Sequence, residues 1–156
     1  MSTSTDTPRF AFGKERRLLR RSDFLRVQGS PFRVVTRSYV LLVKPRPEPD
    51  AAERPARIGL TVGKKVGHSP ERARTRRVLR ECFRLWPQPG LLPPGFDLVV
   101  VARAGAAERT FAEAKDELSR VARLLVKRCE EARESLARKP VEAHVPARGT
   151  SPTDDP

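Results

Sequence analysis

Apolar residues recur along this chain with two periods, one near two and one near 3.6, and the alternation between them sets out the elements. The run RSYVLLVK from Arg37 to Lys44, rich in β-branched and aromatic residues, predicts a strand. Arg57 to Val62 (RIGLTV) predicts a second, and a further short strand fits around Phe32 to Val35. In DLVVVA, from Asp97 to Ala102, four apolar residues in a row imply a strand covered on both faces. Helical spacing takes over elsewhere. Ser22 reads as the N-cap of a short helix carrying Asp23, Phe24, Leu25 and Val27, closing at Gly29. Ser69 as N-cap and Pro70 at the first helical position open a second helix, which Pro87 stops. Its Val78, Leu79, Cys82, Phe83 and Trp86 share one apolar side. Thr110 and Glu113 form a capping box at the head of a long helix, whose Phe111, Leu118, Val121, Ala122, Leu125 and Val126 are spaced to pack on the sheet.

Between these segments, Pro45 to Ala56 is proline-rich and cannot pair as a central strand, and Pro87 to Gly95 reads as a connector. There is no internal repeat. The order helix–strand–strand–helix–strand–helix describes a small α/β (α+β) sandwich with a central sheet of about four strands. Residues 1–8 are polar and expected to be disordered. Residues 9–128 form the folded domain, and 129–156 are expected to hold a helix end and a flexible tail, with four prolines from Pro140 onward.

Charge changes the picture. The 156 residues carry a net charge of +13, unevenly distributed. From Cys129 onward four basic residues face six acids, so residues 1–128 carry +15 and the folded part is the cationic part. The charge concentrates in KKVGHSPERARTRRVLRECF, Lys64 to Phe83. Eight residues from Lys64 to Arg84 are Lys or Arg, against Glu71 and Glu81 alone. On the helix, Arg76, Arg77, Arg80 and Arg84 lie opposite the apolar side, with Arg72 and Arg74 flanking its start. A basic run can be no more than a solvated helix face. Here a strand, a Lys64-Lys65 turn and a basic helix entry follow one another, and guanidinium pairs bidentately with phosphate, so a polyanion is the favoured partner.

Other chemistry is sparse. The N-terminus has no apolar stretch of a secretory signal, and the longest apolar runs are strand-sized, which argues against a membrane role and for a cytoplasmic protein. Cys82 and Cys129 suit buried thiols better than a disulfide, and His68 and His144 have no ligand neighbours at metal spacing. No phosphate-binding glycine loop or Ser/His/Asp order is present, and His68 with Glu71 is the only local acid–base pair. Phe24, Phe32 and Tyr39 lie among Arg26, Arg33 and Arg37, as stacking platforms for single-stranded nucleic acid or as core residues.

These segments together resemble the protein subunit of bacterial ribonuclease P. The similarity rests on RIGLTVGKKVG and ERARTRRVLRECF, on RLLRRSDFLRV upstream and on DLVVVARAGAAERTFAEAKDEL downstream, covering roughly Phe12 to Lys127. Three positions depart from the family pattern: Ala73 stands for its central Asn, His68 for a turn Asn, and Gln28 for a second helix aromatic. The resemblance implies a fold like the second domain of ribosomal protein S5, with a left-handed βαβ crossover against the usual rule of hand. It implies the RNA-binding subunit of an endoribonuclease, a heterodimer of one RNA and one protein, that removes the 5′ leader from precursor tRNA. The catalytic centre and its Mg²⁺ would belong mainly to the RNA. The protein would bind that RNA through Lys64, Lys65, Arg72, Arg74, Arg76, Arg77 and Arg80. Phe24, Arg17, Arg21 and Tyr39 would hold the single-stranded leader. The alternative is a ribosomal or ribosome-assembly RNA-binding protein of similar fold.

Overall fold

The computed structural model describes residues 14–86 and 92–138. The polar start, most of the 87–95 connector and the tail from residue 139, with His144, lie outside the described residues. Four strands, β1 (Arg33–Val35), β2 (Tyr39–Pro45), β3 (Arg57–Thr61) and β4 (Phe96–Ala102), form one sheet in the order β1-β2-β4-β3. β1 with β2 and β2 with β4 run antiparallel, while β3 runs parallel to β4. The expected mixed α/β sandwich is therefore present, and the run of apolar residues in DLVVVA belongs to a central strand buried on both faces.

Side-chain alternation along the strands assigns each face its cover. Tyr39, Leu41 and Val43 of β2 join Leu98 and Val100 of β4 in the main core. Leu79 and Cys82 of α2 (Ser69–Arg84), Leu118 of α3 (Phe111–Arg120) and Leu125 of α4 (Ala122–Arg138) complete it from the helical layer. The opposite face is smaller: Leu42 and Val99 pack with Leu18 and with Val27 of α1 (Arg21–Gln28). Cys82 and Cys129 are both free and fully buried, and burial pushes their thiols up to about 11 and about 12, so neither is a ready thiolate.

Several boundaries differ from the sequence reading. The N-cap of α1 is Arg20, not Ser22, and that of α2 is His68, not Ser69. In α2 the cap works from the third helical residue: Glu71 accepts from the His68 backbone N–H at 2.9 Å. The long C-terminal helix is two helices, broken at Val121, where φ −110° and ψ 7° leave the α region. The break lets α3 pack on α2 while α4 crosses β1 and β2. The domain boundary drawn at residue 128 falls inside α4, whose Cys129 and Ala132 are core residues. Small side chains there weaken the apolar stripe in sequence without ending the packing.

The α1 layer is held by charge as well as by apolar contact. Asp97 of β4 is completely buried, yet both its oxygens accept from Arg57 of β3, each at 2.8 Å. Arg26 of α1 donates to the same carboxylate and to the Pro45 carbonyl at 3.1 Å. Asp23 of α1 stands 3.5 Å from Arg26 and 3.8 Å from Arg57. A buried carboxylate is costly unless its hydrogen-bonding capacity is filled, and here it is filled by two guanidiniums from two other elements.

Replacing Asp97 with Ala should cost about 3 kcal/mol, at the lower end for a broken buried pair because both guanidiniums keep some access to water. Urea denaturation of the variant checks this. A loss below about 1 kcal/mol, the range of exposed pairs, would mean that the network does not hold the layer.

Candidate nucleic-acid interface

β3 is a sheet edge, and its outer side is only partly used. Arg17 bridges to Ile58, and the Leu18 N–H donates to the Ile58 carbonyl at 3.0 Å, so the segment before α1 runs beside β3 as a short stub. Partial cover of this kind protects an edge from pairing with another chain. It also leaves an open cleft of ≈ 160 Å³, lined by Arg17, Leu19 and Phe24 with Gly59, Arg76 and Arg80 among others. Arg17, Arg76 and Arg80 bring three guanidiniums to the cleft. The Nε of Arg17 is buried and finds no acceptor among the described residues.

Phe24 is half-buried, and its seat explains Gly59. A Cβ on Gly59 would lie 2.5 Å from Cε1 and 2.6 Å from Cζ of the Phe24 ring. The ring therefore rests directly on the strand backbone, one edge on the apolar layer and the remainder along the cleft. Only a residue without a side chain permits this approach. The two readings of Phe24 are thus both partly right: it is a core contact and a cleft wall.

The turn between β3 and α2 presents its lysines by burying its valine. Lys64–Val66 forms one turn of 3₁₀ helix, with Val66 in the core and Lys64 and Lys65 exposed. Gly67 follows at φ 152°, where a Cβ would stand 2.7 Å from that of Glu71. Its lack of a side chain lets Glu71 fold back onto the His68 N–H. Lys64, His68 and Arg72 line a shallow recess beside this turn. Glu71 is occupied as a cap through the backbone of His68, so the one local acid–base candidate is built as a helix start.

Along α2, Arg72, Arg76 and Arg80 recur every fourth residue on one stripe, and Arg77 is exposed beside them. Arg74 behaves differently. Its guanidinium donates to the carbonyl of Ala107 and, at 3.3 Å, to that of Arg109, tying α2 to the loop before α3. Arg84 pairs with Glu81. Arg21 is exposed on the first turn of α1.

Tyr39, expected beside the leader, must be moved out of the site. It is fully buried on the helical side of the sheet, whereas Phe24 lies over the α1 side, so its ring offers no surface to a base. Burial, with Glu117 adding to it, drives its phenol pKa upward. β-strand alternation separates Tyr39 from Val40, and the residues near Phe24 are those of the Val40 face. Gln28, in place of a second aromatic, donates to Thr61 of β3 at 3.0 Å and fastens the end of α1 to the sheet. Sequence reading missed Arg57 and Asp97 as supports of this surface, and also Arg76 and Arg80 as neighbours of Phe24. The one available signal was an acid opening the most apolar strand.

Comparisons with known proteins agree on one family. A family profile described as Ribonuclease P matches residues 12–126. The Ribonuclease P protein component of Gluconacetobacter diazotrophicus is 42% identical over 107 residues, covering 69% of this chain and 88% of that protein. The component from Pseudoalteromonas translucida is 36% identical over 121 residues, covering 77% and 81%. Among solved structures, the RNase P protein of Staphylococcus aureus superposes with a TM-score of 0.59 at 26% identity, over 71% of this chain and 95% of that one. That of Thermotoga maritima gives 0.57 at 27%, over 69% and 96%.

If the Phe24 ring sits on Gly59, the substitution Gly59→Ala should destabilise the domain by about 1–3 kcal/mol through overpacking. The same substitution in a Phe24→Ala background should cost much less, because the collision is gone. Thermal melts of the two single variants and the double variant give the coupling. Strictly additive losses would separate the ring from the glycine.

Proposed function

The chain belongs to the family of bacterial ribonuclease P protein components, and from that premise we propose how its surface divides the work of leader removal. As a family member it is an RNA-binding subunit of an endoribonuclease of tRNA processing, partnered with the ribonuclease P RNA. Our reading of the finer mechanism is that the RNA partner carries the hydrolytic centre and its Mg²⁺, while the protein positions precursor tRNA. Lys64, Lys65, Arg72, Arg76, Arg77 and Arg80 would meet phosphates of the catalytic RNA. Phe24, with Arg17 and Arg21, would hold the unpaired 5′ leader. One RNA and one protein in the cytoplasm complete the proposal.

The cleft bordered by the Phe24 ring and by Arg17, Arg76 and Arg80 carries this reading. An aromatic face beside fixed cations is what an unpaired base and its phosphate require. Arg74 has a lesser role in it, since its guanidinium is committed to two backbone carbonyls. The carboxylates support the division too. Asp97, Asp23 and Glu48 are held by arginines, Glu71 and Glu113 by backbone N–H groups, and Glu117 by the Ser38 N–H at 2.6 Å. Among the described residues no group of three or more His, Cys, Asp or Glu is arranged to hold a metal. No described helix is long and apolar enough to cross a membrane.

Phe24 and the arginine helix look like separate surfaces in sequence, but Arg76 and Arg80 border the Phe24 cleft, whereas Arg72 lines the recess at the Lys64 turn. The C-terminal half of the stripe would therefore serve leader and RNA partner together, and the N-terminal half the RNA partner alone.

Three measurements test this. Protein free of RNA should leave precursor tRNA intact, and addition of the catalytic RNA should give one cut at the leader junction; robust cleavage by the protein alone would overturn the assignment. Changing Lys64, Lys65 and Arg72 together to Ala should weaken binding to the catalytic RNA, each lost phosphate contact flattening the log–log salt slope by about 0.7–0.9. An unchanged slope would make the turn a solvated surface. Phe24→Ala should cost precursor binding about 1–3 kcal/mol while sparing mature tRNA. Equal losses on both RNAs would remove Phe24 from the leader site.

A further inference from the structure

The sheet edge opposite β3 carries a surface of another kind. There a cleft of ≈ 190 Å³ opens between the start of β1, the end of β2 and the last turns of α4. Pro31, Phe32, Pro45, Ala132 and Leu136 give it an apolar lining, and among its described lining residues only Lys44 carries charge. Its walls are already fixed. The Ser30 hydroxyl donates to the Val43 carbonyl at 2.6 Å and accepts from the Phe32 N–H at 3.1 Å. Arg128 of α4 donates to the Arg33 carbonyl at 3.3 Å, and the Arg133 guanidinium lies 4.8 Å from the centre of the Phe96 ring, so the far half of α4 is pinned to the sheet. Leu136, one turn beyond the buried Ala132, is nonetheless 59% exposed.

A preformed apolar cleft with a leucine at its lip calls for an apolar occupant. RNA is a poor one, because the nearby Arg128 is paired with Glu131 and the arginine stripe of α2 lies away from this edge. A second copy of the chain would bring together two domains of net charge +13. The continuation of the chain itself fits better. α4 runs to Arg138, two residues past Leu136, and Pro140 disfavours a helical conformation at Lys139, so the chain leaves the helix axis at the lip of the cleft. Val141, Ala143 and Val145 then alternate with Glu142 and His144, and in an extended backbone the apolar three share one side. From Ala132 to Arg138 the helix rises about 9 Å. Residues 141–145 span about 13 Å when extended, enough to cover the cleft from lip to floor when doubled back. So short a tether makes closure entropically cheap.

We infer that residues 141–145 fold back as an extended strap over this cleft. Val141 packs against Leu136, and Val145 reaches toward Phe32 and Pro45, while Glu142 and His144 face water. The strap carries the packed domain past the end of α4 and closes an apolar surface that would otherwise invite association. It is independent of the RNA reading, since the cleft and the Phe24 site lie at opposite edges of the sheet. Few apolar anchors set against the ordering of several residues leave a small surplus, so its effect on stability is modest.

The test is methyl NMR on the full chain with labelled Val and Leu. The Val141 and Val145 methyls should show nuclear Overhauser contacts to the Phe32 ring and to the Leu136 methyls, unchanged on dilution. The double variant Val141→Asp and Val145→Asp should lose these contacts, shift the Leu136 methyl signals and lower the melting temperature by about 2–4 °C. Both substitutions lie beyond the last helix, so the variant keeps its fold and the comparison stays readable. Valine methyls at random-coil positions in the wild type, without these contacts, would overturn the strap. Contacts that appear only between differently labelled molecules in a mixed sample would make a second copy the occupant and overturn it too.

Discussion

The Asp97 carboxylate is the constraint on which the cleft depends. A lone ion in the middle of a four-stranded sheet would be strongly unfavourable. It persists because Arg57 reaches it from the neighbouring strand and Arg26 from the helix above. The same two guanidiniums face Asp23, one residue before Phe24. Charge pairing therefore fixes both the position of α1 over the sheet and its rotation about its own axis. That rotation sets the Phe24 ring on Gly59. A purely apolar contact through Val27 would press the helix down without choosing its rotation so narrowly.

The other face of the sheet is governed by ordinary packing, and the difference accounts for what was legible in the sequence. All four strands, the basic helix and the capping box at Thr110 follow from local periodicity and turn chemistry. The arginine-rich side of α2 follows from the same periodicity. What escaped were relations between distant positions. Arg26 and Asp97 are 71 residues apart, Arg57 and Asp97 are 40 apart, and no pattern in either stretch advertises the partner. The seating of Phe24 on a strand glycine belongs to the same class. Gly59 reads in sequence as a weak point of a strand, and in the fold it is the space that an aromatic ring occupies.

Tyr39 and Arg74 show a second limit. Both residue types suit nucleic-acid contact, and both lie near other cations in sequence. Tyr39 begins a strand, and its parity places it toward the helices, where its ring fills core volume. Arg74 is on the cationic helix, but its direction carries it to the carbonyls before α3. Composition identifies the partner class of a surface. It does not tell which members of a charged run reach that surface: two helical steps, about 200°, turn Arg74 away from Arg72 and Arg76 and make it an internal strut.

This distinction bears on how net charge should be read in the whole domain. Residues 1–128 carry +15, yet many of the arginines in the described structure are engaged by carboxylates or carbonyls. An engaged guanidinium still adds to the long-range field that draws a polyanion in, but it gives up the donors that would bind it in register. The field thus belongs to nearly all the arginines, and short-range recognition to a few. Arg17, Arg76 and Arg80 line the cleft where the sheet edge at β3, the helix α2 and the segment before α1 meet. At that edge backbone pairing stops short, and side chains from three elements converge on open space. The pull of the domain on a polyanion follows from its composition, whereas the place where these guanidiniums meet open space follows from the unfinished edge of its sheet.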